Sequence, residues 1–200
     1  MPAIRSALGS AKTERVLPFR FIAAARFAPT LEPELELAMF RCLTEKAKLP
    51  GHTVLLVDVS GSMQQPISGK SDLKRLDAAC GLAMLLREVC ESVEVHTFST
   101  ALRAVPTRRG FALRDAIVSS QPHGGTNLGG AVQTILASRP SDRLICISDE
   151  QAAGPVPDPV GRKAYMLNVA SAANGVGYGA WMHIDGWSEA CVDYVASLEG

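Results

Sequence analysis

Short apolar runs rich in β-branched residues alternate along most of the chain with longer segments whose apolar residues recur at helical spacing. The runs predict strands at residues 53–57, 93–98, 102–105, 144–148, 164–169 and 180–184. Continuous apolar runs of this length are typical of strands that are buried on both faces. The intervening segments predict helices at residues 72–90, 110–119, 128–138 and 189–198. Strands that alternate with helices predict an α/β fold, with a mostly parallel sheet and helices on both of its faces.

The first fifty residues show no strand pattern. Residues 1–15 are polar and weakly patterned, so we expect them to be frayed, whereas residues 16–28 and 31–43 have helical spacing. Thr30 is the predicted N-cap of the second helix, because acidic residues follow it in the first turn. The sequence Leu49-Pro50-Gly51 interrupts the pattern. We therefore predict a helical amino-terminal extension at residues 1–50, which packs through its apolar faces, and an α/β domain at residues 51–200.

Polar residues with oxygen side chains end two of the predicted strands. Asp58, Ser60 and Ser62 follow the strand at 53–57, and Asp149 follows the strand at 144–148. In open α/β sheets, ligands bind at the carboxyl ends of strands near the point where the strand order reverses. If the two strands are neighbours there, the carboxylates of Asp58 and Asp149 converge, and hard oxygen ligands of this kind suit Mg²⁺. The alternative is an ordinary strand followed by a serine-capped turn.

The Asp-x-Ser-x-Ser sequence resembles the metal-ion-dependent adhesion site of von Willebrand factor A domains. In that family the site is completed by a threonine from a glycine-rich loop and by an aspartate after a later strand. Gly124-Gly125-Thr126 matches the first element and Asp149 matches the second. The resemblance implies a site for Mg²⁺ (or Mn²⁺ or Ca²⁺) that also accepts an acidic residue of a protein partner. The implied metal ligands are Asp58, Ser60, Ser62, Thr126 and Asp149.

Further stretches resemble the carboxy-terminal part of the Ro autoantigen family, the TROVE-domain proteins. They are Leu17-Pro18-Phe19-Arg20-Phe21, Val176-Gly177-Tyr178-Gly179 and Ile184-Asp185-Gly186-Trp187-Ser188. In that family a ring of helical repeats binds small noncoding Y RNA, and a von Willebrand A domain follows the ring. The resemblance implies that residues 16–49 are the last helices of such a ring and that the chain works in a ribonucleoprotein. A Y-like RNA would then bind to helical repeats upstream of residue 16.

The charge balance argues against a strong nucleic-acid site on this chain itself. Lys plus Arg number 20 and Asp plus Glu number 20, so the formal net charge is zero. No broad positive field is available to attract phosphates, and we expect weak RNA binding. The densest basic stretch is either a solvated rim or a patch that contacts RNA phosphates. It consists of Arg103, Arg108, Arg109 and Arg114.

The cysteines indicate a reducing compartment. There are 5 of them, an odd number without a Cys-x-x-Cys pair, and Cys80, Cys90 and Cys146 lie in apolar segments typical of buried thiols. We therefore predict a cytoplasmic protein. The chain shows no secretory signal and no apolar run long enough to cross a bilayer, so we expect no membrane partner.

Three functional classes remain open. A Mg²⁺-dependent phosphoryl-transfer or hydrolytic enzyme needs a positioned base and an arginine or lysine clamp. The sequence places neither near Asp58, Thr126 or Asp149. A purely structural interaction module needs no metal at all. We predict a metal-dependent binding module that is not an enzyme.

Overall fold

The computed structural model describes residues 2–10, 16, 18–44, 46–69, 71–170 and 179–199. Within these residues the strands form one six-stranded sheet in the order β3-β2-β1-β4-β5-β6. β3 is antiparallel to β2, and the remaining neighbours are parallel. The strands are β1 (Leu49–Asp58), β2 (Cys90–Phe98), β3 (Leu102–Ala104), β4 (Arg143–Ser148), β5 (Lys163–Asn168) and β6 (Met182–Asp185). The sheet confirms the predicted α/β fold.

Helices cover both faces of the sheet. They are α1 (Pro2–Ser10), α2 (Pro18–Phe27), α3 (Glu32–Leu43), α4 (Arg75–Val89), α5 (Gly110–Val118), α6 (Leu128–Ser138) and α7 (Glu189–Ser197). Successive side chains of β1 point to opposite faces: Leu55 and Val57 join one buried cluster, and Val54 and Leu56 join the other. The strand is therefore buried on both faces, as its apolar run predicts. No helix among the described ranges is both long and apolar enough to cross a membrane.

The amino terminus differs from the prediction, because residues 2–10 form α1 and are not frayed. The Arg5 guanidinium lies 3.3 Å from the Glu34 carboxylate and donates to the Thr30 carbonyl at 3.2 Å. Arg41 of α3 donates to the Leu8 carbonyl at 2.6 Å. These contacts join residues more than twenty positions apart, so the weak local pattern of this segment gives no sign of them.

The predicted cap of α3 is wrong, and the first strand begins earlier than predicted. Thr30 lies inside a short 3-10 turn (Pro29–Leu31), and α3 begins after Leu31 without a side-chain cap. The Leu49-Pro50-Gly51 sequence forms the start of β1, where the pairing with β2 is irregular and Gly51 adopts a φ of 84°. Glycine tolerates this left-handed conformation, so β1 can begin at Leu49, four residues before the predicted strand. The domain boundary near residue 50 stays a prediction.

The helical extension packs on the α/β domain. Side chains of α2 and α3 belong to the same buried cluster as those of α4 and β1. Polar contacts support this packing: Glu36 accepts a hydrogen bond from the Phe111 backbone N–H at 2.6 Å, and Arg26 pairs with Asp77 at 2.6 Å. The structure thus shows that α2 and α3 pack on the α/β domain, although Phe27 and Leu37 remain exposed.

Candidate metal centre

The candidate centre lies where the strand order reverses. β1 lies between β2 and β4, and Val57 is opposite Ile147 in the parallel pairing of β1 with β4. The two strands therefore end side by side, with Asp58 as the last residue of β1 and Asp149 directly after β4. The predicted convergence of the two strand ends is observed.

Asp58 is fully buried and has only uncharged hydrogen-bond donors among the described residues. Its Oδ1 accepts from the Ser60 backbone N–H at 2.8 Å, and its Oδ2 accepts from Ser148 Oγ at 2.7 Å. The pKa of Asp58 is raised to about 6, chiefly by burial and to a smaller extent by the nearby charge of Asp149; the hydrogen bonds from Ser60 and Ser148 act in the opposite direction. The site thus contains a carboxylate that no cationic side chain of the described residues contacts through a hydrogen bond or ion pair.

The two serines of the Asp-x-Ser-x-Ser sequence lie together at the end of β1. Ser60 Oγ is 3.2 Å from Ser62 Oγ, and a 3-10 turn begins between them at Gly61. The Gly61 backbone N–H donates to the Gly124 carbonyl at 2.9 Å. This bond ties the serine loop to the glycine-rich loop, which is the loop that the sequence matched to the same site.

Ser99 shapes the glycine-rich loop that carries Thr126. Its Oγ accepts from the Gly124 backbone N–H at 3.1 Å, and its carbonyl accepts from the Asn127 N–H at 2.8 Å. The Thr126 carbonyl accepts from the Ala153 N–H at 3.1 Å, which joins this loop to the segment after β4. Thr126 therefore lies on a loop that is bonded both to the serine loop and to the segment after Asp149.

Asp149 is fully buried and pairs with a cation that the sequence analysis did not expect. Arg75, the first residue of α4, donates from Nη1 to Asp149 Oδ2 at 2.7 Å, and the Gln151 N–H donates to Oδ1 at 3.3 Å. The expectation that no arginine or lysine lies near the site is therefore wrong. A polar loop separates Arg75 from β1, and its path cannot be read from local pattern.

Two further residues of the site were missed. Ser148 Oγ donates to Asp58 and also accepts from the Glu150 backbone N–H at 3.0 Å. One hydroxyl group is thus hydrogen-bonded to the end of β1 and to the residues that follow β4. Glu150 is buried with a φ of 58°, and its carboxylate contacts His183. Non-glycine residues in this left-handed region cluster at functional sites. The sequence signal for them is the polar run Ser148-Asp149-Glu150, of which the prediction includes only Asp149.

The candidate centre is rich in hydroxyl groups. No group of three or more His, Cys, Asp or Glu side chains is placed to hold a metal ion in the part of the chain that the structure describes. The five predicted ligands comprise two carboxylates, from Asp58 and Asp149, and three hydroxyl groups. Their assignment as metal ligands stays a prediction.

The four arginines of the basic stretch do not form one free surface. Arg109 makes two hydrogen bonds to the Glu88 carboxylate, one of them at 2.9 Å. Arg114 pairs with Glu32 at 2.6 Å and so helps to hold α3. Two of the four are exposed and have no hydrogen bond or ion pair to described residues: Arg103 and Arg108. An RNA contact by this stretch stays a prediction, and these two are its most available members.

The strand order and the helices on both faces of the sheet define a Rossmann-like α/β fold, similar to that of von Willebrand A domains. The structure is similar to that of the Ro (RSR) protein of Deinococcus radiodurans, with a TM-score of 0.60, 15% identity, and coverage of 80% of this chain and 36% of that one. This likeness confirms the predicted resemblance at the level of the fold. The chain spans about a third of the length of the Ro protein.

An aerotolerance-related membrane protein from Bacteroides fragilis is a weaker structural match. Its TM-score is 0.46 at 15% identity, with coverage of 60% of this chain and 67% of that one. No protein-family model and no curated protein matches the sequence.

Proposed function

We propose that this chain is a divalent-cation-dependent binding module. In this proposal Mg²⁺, or Mn²⁺ or Ca²⁺, completes its coordination with an acidic side chain of a protein partner. The observation that carries the proposal is Asp58, a fully buried carboxylate with neutral donors only and a pKa raised to about 6. An ionised carboxylate in this position is stabilised by a positive charge, and a bound cation supplies it. The residues that would hold the cation are Asp58, Ser60, Ser62, Thr126 and Asp149.

The donor set fits a hard cation. Carboxylate and hydroxyl oxygens are the ligands that Mg²⁺ prefers, and Mg²⁺ rarely takes many carboxylates from one protein. The site offers two carboxylates on rigid strand ends and hydroxyls on loops that are hydrogen-bonded to each other. A carboxylate from outside would add a further anionic ligand, which is the chemistry expected of an adhesion-type site.

The neighbouring side chains support binding without turnover. His123 Nδ1 donates to the Val59 carbonyl at 2.6 Å, and His183 contacts Glu150, so both rings are engaged. A Mg²⁺-dependent hydrolase needs a base and a cationic clamp that face the substrate. The Arg75 guanidinium contacts Asp149 instead. These contacts favour a binding module over the enzyme.

The fold likeness, together with the sequence stretches near both ends, supports a wider proposal. In it the chain is the carboxy-terminal part of a Ro-like ribonucleoprotein of the cytoplasm. A small noncoding, Y-like RNA would bind to helical repeats and not to residues 51–200. The buried thiols of Cys80, Cys90 and Cys146 support a reducing compartment.

A thermal denaturation series tests the cation site. Mg²⁺ or Mn²⁺ should raise the melting temperature relative to chelator, because a ligand at 100 times its Kd stabilises the folded state by about 2.7 kcal/mol. Asp58→Ala should abolish the rise. Asp72→Ala removes a carboxylate from an exposed loop and should keep it. Equal melting temperatures of the unmodified chain with chelator and with millimolar Mg²⁺ or Mn²⁺ would contradict the proposal.

A further inference from the structure

One arginine already neutralises part of the candidate metal centre. The Asp149 carboxylate is fully buried, and the Arg75 side chain that pairs with it is 18% exposed. Arg75 is also the first residue of α4, so its guanidinium acts beside the positive end of that helix. The Asp149 carboxylate therefore pairs with a full positive charge of the protein itself, whereas the described donors to Asp58 are uncharged.

The Arg75 guanidinium makes only part of the hydrogen bonds that it could donate to described residues. An arginine can bind a carboxylate through a two-pronged fork, but the hydrogen bond described here runs from Nη1 to a single oxygen. The Arg75 Nε is buried and has no hydrogen-bond partner among the described residues. A buried donor that lacks a partner has a free-energy cost, so this placement of Arg75 is poorer than a full fork would be.

We propose that Arg75 is an internal counterion that competes with the divalent cation for Asp149 and thereby sets the affinity of the site. In the structure the Arg75 guanidinium donates a hydrogen bond to Asp149 Oδ2. For the cation to bind, Arg75 must give up this contact and turn toward solvent, which its partial exposure allows. The inference rests on the proposed cation site and deepens it, because it names the residue that sets how tightly the cation is held.

Calorimetric titration of the whole chain with MnCl₂ tests the competition. Arg75→Gln removes the charge and should tighten Mn²⁺ binding about tenfold, because a unit charge this close to a ligand oxygen acts with little screening. Arg75→Lys keeps the positive charge on a group that cannot form the fork. Its Mn²⁺ affinity should lie between that of the unmodified chain and that of Arg75→Gln. Arg87→Gln makes the same charge change near the other end of α4, about 18 Å along the helix, and should bind within twofold of the unmodified chain.

Two further measurements separate competition from a merely structural role. Without metal, Arg75→Gln should melt at a lower temperature, because the buried Asp149 loses its counterion. Mn²⁺ should then raise its melting temperature more than that of the unmodified chain. In an Mg²⁺ titration followed by NMR, the Arg75 Nε–Hε signal, assigned by its loss in Arg75→Gln, should shift as the cation binds. The Arg87 signal should stay in place.

The outcomes are distinct. If the unmodified chain binds Mn²⁺, and both Arg75→Gln and Arg75→Lys bind it equally well or more weakly, the proposed competition is overturned while the cation site stands. Mn²⁺ binding by Arg75→Gln but not by the unmodified chain would support the competition. Absence of binding by every variant in tens of millimolar MnCl₂ would overturn the proposed cation site, and the competition with it.

Discussion

Replacing Glu199 by glutamine tests the ion network at the amino ends of the strands, opposite the candidate metal centre. The Glu199 carboxylate is 3% exposed and pairs with Arg143, whose side chain is 2% exposed. The Tyr165 hydroxyl donates to it at 2.8 Å and Lys163 at 3.2 Å. Arg143 also donates to Thr53 Oγ1 at 2.7 Å, so the network joins β1, β4 and β5 to the end of the chain.

The pKa of Glu199 gives the magnitude. Burial would raise that pKa, but the hydrogen bonds from Arg143 and Tyr165 and the charge of Arg143 outweigh burial and lower it from 4.5 to about 2. At about 1.4 kcal/mol per pKa unit, the shift corresponds to about 3 kcal/mol of folding free energy. This value agrees with the roughly 3 to 5 kcal/mol lost when one partner of a buried ion pair is removed.

Because the folded pKa lies below the unfolded one, the stabilisation is present above about pH 4.5 and is lost as the pH falls toward 2. Urea denaturation should show Glu199→Gln to be about 3 kcal/mol less stable at pH 7, and about half of that difference should remain at pH 3. Asp193→Asn breaks the exposed pair with Lys46 and should change the free energy of unfolding by less than about 1 kcal/mol. A Glu199→Gln effect below 1 kcal/mol at pH 7, or one that does not depend on pH, would refute the reasoning.

Two other predictions concern the loops and the basic stretch. A Cβ at Gly129 would lie 2.2 Å from the Pro155 carbonyl oxygen. Gly129→Ala should therefore lower the free energy of unfolding by about 1 to 3 kcal/mol in urea denaturation, despite the better helix propensity of alanine. Equal or higher stability of the variant would contradict the close approach. In filter binding, a small structured RNA should bind weakly. A plot of the logarithm of the affinity against the logarithm of the salt concentration should have a slope of about −2 or shallower, because two arginines of the stretch, Arg103 and Arg108, are exposed and have no ion pair to described residues. Nanomolar affinity at physiological salt would refute that assignment.

The ends of the central strands could be predicted because the signal there is local and periodic. A run of buried apolar residues ends at Asp58, and a second run ends just before Asp149. Parallel pairing of neighbouring strands then brings their ends together, whatever the loops do. The same logic holds for α6, whose bounds agree with the prediction, because its apolar spacing is clear and Asn127 caps it by accepting from the Gly130 N–H at 3.2 Å.

The contacts that Arg75 and Ser148 make at the candidate centre could not be predicted, because they join distant segments of the chain. Arg75 reaches Asp149 across 74 positions, and Ser148 reaches Asp58 across 90. Neither residue has a distinctive type or spacing in the sequence. The helix α1 was missed for the same reason, since its ion pair and hydrogen bonds come from α3 and the turn that precedes it.

The packing of the helical extension has a consequence for how the chain unfolds. Phe19 of α2 and Met39 of α3 lie in the same buried cluster as Leu55 and Val57 of β1. Detaching the helices would bring apolar surface into water on both sides of the contact, which costs roughly 25 cal/mol per Å². The helices and the sheet are therefore thermodynamically coupled, and we expect them to unfold together. A cut near residue 50 would separate the helical part of the sequence from the part in which strands and helices alternate, but we expect these two parts to unfold together.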